Sequence, residues 1–409
     1  MEKNGLTRRR LLQGGLLLGT SLGMAPKLLL RPALAAGPHR ILVSIFQRGA
    51  VDGLSMFVPY GDPTYLSLRQ ETAIPSPSQN GGALALDSLF GLHPAMASLL
   101  PAWDAGELAV VHACGSPDPT RSHFDAQDFM ETGLPGMLGA ADGWLNRHLQ
   151  ATTGSPSLRA VSVTSTTPRI LSGPADIYAA NTLTELNLGR GQEGEIVRQA
   201  IHEMYGARED FLGKTVQETL ANYEIFTALG EQGYTPQNGA VYPQSMLGRQ
   251  LREVAQVLRA EVGLEIAFLS CGGWDTHANQ GSTQGNLADR LRELADSIAA
   301  FRQDLGDEMA DVCLLTMSEF GRTAAQNGSG GTDHGHGTAM MALGGTVAGG
   351  VHGGWPGLAP DDLYQGRDLA VTTDFRDLFA EIVREHLGNP ALDIVFPGHS
   401  YNPPGVIRA

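Results

Sequence analysis

Two short segments of the 409-residue chain set carboxylates beside imidazoles. In "GGWDTHANQ", Asp275 and His277 lie two apart, so an extended loop turns both to one side. In "GTDHGHG", Asp333 adjoins His334, and His336 follows after one glycine. Carboxylate oxygen together with imidazole nitrogen suits Zn²⁺ or Mn²⁺. Any one of these residues standing alone would read as a helix cap or a hydrogen-bonded loop residue. Two such pairs favour metal ligands. Asp52, in "RGAVDGL", is a further carboxylate that serves either as a ligand or as the cap of an Asp-Gly turn.

Other groups suit an anion. Ser122 precedes a helical pattern in "PTRSHFDAQD", with Asp125 three residues on. That is a good N-cap with Asp in the capping-box position. The same helix N-terminus would stabilise an anion or an ionised oxygen nucleophile, with His123 beside it. Arg121 either holds a substrate oxyanion or is a solvated surface charge. In "SEFGRT", Glu319 and Arg322 read as a structural ion pair shaping the loop, with direct catalysis by Arg322 the other option. His93 and His112 read as satisfied structural histidines.

These residues need elements that bring them together. Short apolar runs, "ILVSIF", "LAVVHA", "LRAVSVT", "LEIAFLS" and "DVCLLTM", alternate with segments of helical period. That pattern predicts an α/β fold: a doubly wound, mostly parallel sheet with helices on both faces, each strand apolar throughout because both faces are covered. "AMMALGG" is a candidate sixth strand. The helix predicted over 286–306 aligns Leu287, Leu291, Leu294, Ile298 and Phe301 on one core-facing stripe. Four of the strands release a Gly- or Pro-rich loop carrying Asp, His or Ser at the carboxyl end. In open parallel sheets those ends share one edge, where ligands bind. Residues 170–260 read as a helical insertion or cap within a single domain spanning 36–409.

Totals narrow the function. Residues 1–35 hold a twin arginine (Arg8, Arg9), a moderately apolar stretch and "ALA" at 33–35, which predicts a twin-arginine signal peptide cleaved near Ala35. Gly14, Gly15, Gly19, Gly23 and Lys27 make it a poor spanning helix, so no stable membrane anchor is expected after cleavage. The leader carries six Lys or Arg against one Glu; removing its +5 from the chain's −15 leaves −20. Such acidity excludes nucleic-acid binding through basic patches. An anionic substrate would need a local positive centre such as a metal ion. Cys114, Cys271 and Cys313 lie in or beside apolar runs without Cys-x-x-Cys spacing, so they read as small buried hydrophobes.

With the leader, "FQRGAVDGLSMFVPYGDPTY", "GSPDPTRSHFDAQDFME", "GGWDTHANQ" and "SEFGRTAAQNGSGGTDHGHG" make the mature chain resemble, over essentially its whole length, the bacterial domain-of-unknown-function 1501 family. That family in turn resembles the alkaline phosphatase-like superfamily of phosphatases and sulfatases. The resemblance implies one or two divalent metal ions: Asp52 with Asp333 and His334 on one, Asp275 and His277 on the other. The two-residue spacing of Asp275 and His277 departs from the superfamily's four, and the last ligand falls to His336 or His352. Ser122 would be the nucleophile, with Arg121 or Arg322 neutralising substrate oxygens. The expectation is an exported, periplasmic or secreted metal-dependent hydrolase of small phosphate or sulfate esters, delivered folded by the twin-arginine export machinery. The alternative is a non-catalytic secreted binding or assembly protein that keeps the fold with a degraded site.

Overall fold

The structure is a computed structural model describing residues 40–152, 158–183 and 192–408; the leader lies outside these residues. Its strands are β1 (Ile41–Gln47), β2 (Phe57–Val58), β3 (Leu84–Ala85), β4 (Gly91–Leu92), β5 (Leu108–Gly115) and β6 (Ala160–Ser162). They continue as β7 (Tyr178–Ala179), β8 (Ile266–Cys271), β9 (Val312–Met317), β10 (Thr338–Gly344), β11 (Gly350–His352) and β12 (Thr373–Asp374). The main sheet runs β11-β5-β10-β9-β1-β8-β6-β7, with β12 also on β5, and β2-β4-β3 form a small second sheet.

Period-two alternation divides the core between the two faces of the main sheet. From β1, Ile41, Val43 and Ile45 enter one cluster, while Leu42 and Phe46 enter the other. Onto the first face pack the helices Met246–Arg259, through Leu247, Leu251 and Val254, and Asn286–Leu305, through Leu287, Leu291, Leu294, Ile298 and Phe301. Phe226 and Leu229, from the helix Phe211–Gln232, join the same cluster. Onto the second face pack Trp144, Leu145 and Leu149, then Phe375, Leu378 and Phe379. Full coverage explains why β1 and β5 are buried at every residue. The doubly covered α/β sheet is the one predicted, and Cys114 and Cys313 are buried thiols inside it, with Cys271 half-buried.

One strand departs from parallel order. The sixth predicted strand is present as β10, but it runs antiparallel to both β9 and β5. Its reversal has a consequence for the site. Residues 318–337 leave the carboxyl end of β9 and re-enter the sheet at the same edge, without a crossover. The carboxyl ends of β1, β5, β8 and β9 and the start of β10 therefore meet on one rim.

The 318–337 segment is itself pinched into a narrow hairpin. Gly335 N–H donates to Gly321 O at 2.8 Å, Gly321 N–H donates to His336 O at 2.9 Å, and Arg322 bridges His334 antiparallel. A Cβ on Gly321 would stand 1.9 Å from Gly337 O, and one on Gly335 would stand 2.3 Å from the Arg322 carbonyl carbon. Glycine at both positions lets the two arms approach, which sets His334 beside the other rim loops.

Candidate metal centre

Each side chain at the rim is aimed by its own element. Ser122 caps the helix His123–Thr132, its Oγ accepting from the Asp125 N–H at 3.4 Å, so His123 is the first helical residue and its ring projects over the strand ends. Asp275 and His277 come from the loop after β8, and His334 from the pinched hairpin after β9.

Four donor atoms converge. His334 Nε2 lies 3.0 Å from His123 Nε2, 3.0 Å from His277 Nε2 and 3.3 Å from Asp275 Oδ1. Asp275 Oδ1 lies 3.1 Å from His277 Nε2 and 3.7 Å from His123 Nε2. Donors held about 2.0–2.1 Å from a tetrahedral zinc ion are separated by about 3.3 Å. The observed spacings bracket that value. His123, Asp275 and His334 form a triad of mutually close ligand atoms, and His277 adjoins it through His334 and Asp275.

The protons point to the same chemistry. His123 Nδ1 faces Glu319 Oε1 at 2.7 Å, His277 Nδ1 faces Asp333 Oδ1 at 2.9 Å, and His334 Nδ1 faces the Arg121 carbonyl at 3.0 Å. A carbonyl or carboxylate oxygen only accepts, so each Nδ1 carries the proton. With the proton held on Nδ1, the three rings turn their Nε2 atoms, together with a carboxylate oxygen, toward one point. Such a cluster repels itself unless a cation stands among the donors. Metal-bound histidines are held by acceptors behind them in this manner, and the N₃O donor set fits a divalent ion such as zinc or manganese.

Supporting contacts hold the ligands in place. Glu319 is fully buried and also accepts from Gly49 N–H and Gln127 Nε2. Burial opposes its ionisation, but the bonds from His123, Gln127 and the Gly49 N–H outweigh it and hold the carboxyl below its ordinary range. The same Glu319 contact holds the His123 pKa above its usual value. Arg322, also buried, donates to Asp275 Oδ1 and to the carbonyls of Gly49, Ala50, Thr332 and Trp274. Ala50 is in the left-handed region, φ 60°, one residue beyond Gly49, φ 120°; this local geometry presents both carbonyls to Arg322.

The predicted residues divide accordingly. Asp275, His277 and His334 meet, and Asp333 stands one shell back, behind His277. Asp52 does not join them. It is buried, and its carboxylate takes Arg69 Nη1 at 2.6 Å, Arg69 Nη2 at 2.9 Å, Gln280 Nε2 at 2.7 Å and Ser55 Oγ at 2.8 Å. Four donors saturate it, and despite burial Arg69 keeps it ionised. His336 is buried apart from the cluster, its ring stacked on Tyr364 with centroids 4.5 Å apart. Arg121 lies beside the site with its guanidinium on Asp368. Arg322 is paired with Asp275 and not with Glu319, and its buried guanidinium serves Asp275's position. His93 caps Pro94–Leu99, whereas His112 is packed against Phe90 with no hydrogen-bond partner for either ring nitrogen among the described residues.

Sequence reasoning left His123 as an accessory and Glu319 as a loop ion pair. The signal that could have raised both was present: His123 opens a helix at the same rim, and Glu319 directly follows the strand whose loop brings His334.

Residues 39–388 match the family described as a protein of unknown function (DUF1501), and the chain belongs to that family. Among curated proteins, none matches it. Solved structures similar to it include the zinc complex of the C-terminal periplasmic domain of EptC from Escherichia coli, at 10% identity and a TM-score of 0.34, covering 76% of this chain and 74% of that one. Alkaline phosphatase from the Antarctic bacterium TAB5 is similar at 9% identity and a TM-score of 0.31, covering 75% of this chain and 92% of that one. Likenesses this loose carry no residue-level correspondence.

Proposed function

We propose that this DUF1501 chain is an exported, metal-dependent hydrolase of phosphate or sulfate esters that works with one divalent ion, zinc or manganese, held by His123, Asp275, His277 and His334. The observation that carries the reading is the convergence of three Nε2 atoms and Asp275 Oδ1, each imidazole fixed from behind by an acceptor. When bound, the ion supplies Lewis acidity toward an ester oxygen.

The chain's own residues do the rest. Glu319, Asp333 and the Arg121 carbonyl keep the Nδ1 protons on the far side of the rings, and Arg322 fixes Asp275. Ser122 sits between Arg121, whose carbonyl holds His334, and His123. The open N–H groups of the helix it caps favour negative charge developing at its Oγ. In the proposed reaction Ser122 Oγ bonds to phosphorus or sulfur as the bond to the ester oxygen breaks, the hydroxyl proton leaving with the alcohol; water then displaces Oγ, releasing phosphate or sulfate and returning a proton to Ser122. The site is open to a substrate, since the side chains of His277, Asp275 and Asp333 are 43%, 47% and 55% exposed. Export through the twin-arginine route, to the periplasm or beyond, is part of the proposal; among the described residues no helix is long and apolar enough to cross a membrane.

A second reading has its own support. Asp52 is committed to Arg69, so a second ion would lack that carboxylate, and a secreted binding or assembly protein could keep the single centre without turnover. Metal analysis of purified mature protein followed by a screen of phosphate and sulfate esters separates the two. About one equivalent of metal with chelator-sensitive turnover supports the hydrolase. Metal without turnover, or no metal at all, refutes the hydrolase and supports the binding protein. Ser122→Ala should abolish turnover while costing about 1 kcal/mol of stability as a lost cap; retained turnover would remove Ser122 as nucleophile.

A further inference from the structure

We infer that Arg121 and Arg367 form a seat for a tetrahedral oxyanion beside the metal centre, an inference that rests on the metal reading above. Both arginines touch His334: Arg121 accepts its Nδ1–H through the backbone carbonyl, and Arg367 Nη2 donates to its carbonyl oxygen. Both guanidiniums also share one carboxylate. Arg121 Nη2 lies 2.5 Å from Asp368 Oδ2, and Arg367 Nε lies 2.8 Å from Asp368 Oδ1.

The exposures decide what this trio does. Asp368 has no exposed side-chain surface, whereas the Arg121 and Arg367 side chains are 28% and 47% exposed. The buried anion therefore anchors two cations whose outer edges face solvent. Two guanidiniums share one buried carboxylate, with the Asp333 carboxylate also near Arg367, and they lie in a chain of 43 acidic residues against 28 Lys and Arg. Gln365 Oε1 takes a further hydrogen from Arg121 Nη2. Neither Arg121 Nη1 nor Arg367 Nη1 has a hydrogen-bond partner among the described residues, so donors remain for a ligand. His336 and Asp118 also stand near this group; Asp118 Oδ1 is turned to the Thr120 N–H.

Planar guanidiniums match the edges of phosphate or sulfate, and charge-assisted bonds of this kind are about twice as strong as neutral ones. With one substrate oxygen toward the metal centre, the remaining oxygens would meet the arginine edges. Arg367 would thus contribute to substrate binding, although no motif in the sequence marks it.

The test uses zinc-loaded mature protein titrated calorimetrically with inorganic phosphate and, separately, with sulfate; the tighter of the two identifies the preferred oxyanion. Arg367→Gln and Arg121→Gln should each weaken phosphate binding about tenfold with zinc content and melting temperature retained, and Arg367→Lys should restore part of the loss. The Arg121 variant guards against disturbance of His334, because the backbone carbonyl that holds that ring is unchanged. Zinc content intact with unchanged phosphate affinity in both glutamine variants overturns the inference and leaves the metal centre standing. A protein that takes up no zinc overturns the metal reading and this inference with it.

Discussion

Asp52→Asn separates a structural carboxylate from a metal ligand. The substitution keeps the side-chain shape and removes its charge. Arg69 then stays cationic in a fully buried site, facing one amide oxygen, the Ala324 and Thr323 carbonyls and Ser55 Oγ, the last three at 2.9, 3.0 and 3.0 Å, with no anion to offset it. A guanidinium cannot shed its proton, so the charge is left uncompensated, and breaking a buried pair in this way costs about 3–5 kcal/mol. With a urea slope of about 3 kcal/mol/M, the unfolding midpoint should fall by about 1–1.7 M. Adding Arg69→Met removes the stranded charge and should recover part of the loss. Metal content of the folded single variant should match the parent, because Asp52 contacts none of the four converging donors. The assay is paired: urea unfolding followed by tryptophan fluorescence, and metal analysis of the same preparation. An Asp52→Asn protein with an unchanged midpoint and lost metal would refute the reasoning and return Asp52 to the ligand set.

Two further outcomes are expected. Glu319→Gln should leave the fold intact but weaken zinc affinity about 10–100-fold, as loss of an acceptor behind a ligating histidine does, measured by competition with a chromogenic chelator; an unchanged affinity would remove Glu319 from the support of His123. Burial pushes His93 and His386 down to about 4 and His112 down to about 3. An unfolded histidine titrates near 6.5, so below that pH the unfolded chain binds protons that these native rings refuse, and stability falls with pH from 6.5 toward 4. From pH 7.5 to 5.5 each ring should cost about 1.4 kcal/mol, so metal-free protein should be less stable by about 4 kcal/mol. His123, raised by Glu319, works against this sum. A flat urea midpoint over that interval would show that the three rings are protonated or hydrated in the native state.

Read from sequence alone, the long strands of the main sheet are legible, whereas the short strands β2, β3, β4, β7, β11 and β12 are not. Apolar runs of strand length, separated by amphipathic helices, specified β1, β5, β8, β9 and β10 and a sheet covered on both faces, because burial leaves a periodic mark on local sequence. The same pattern specified that Asp275, His277 and His334 would arrive at strand ends. The direction of β10 left no such mark, since an apolar strand reads alike in a parallel or antiparallel place. Partner choice at the rim left none either. Asp52 was captured by Arg69, His336 by Tyr364, and His123 was turned into the cluster by the helix it opens. Each outcome depends on which distant groups share a desolvated space: His123 and His334 are 211 residues apart and meet at 3.0 Å. Periodicity reports how each segment is buried, whereas the electrostatics of a site depend on what is buried beside what, and only the tertiary structure decides that.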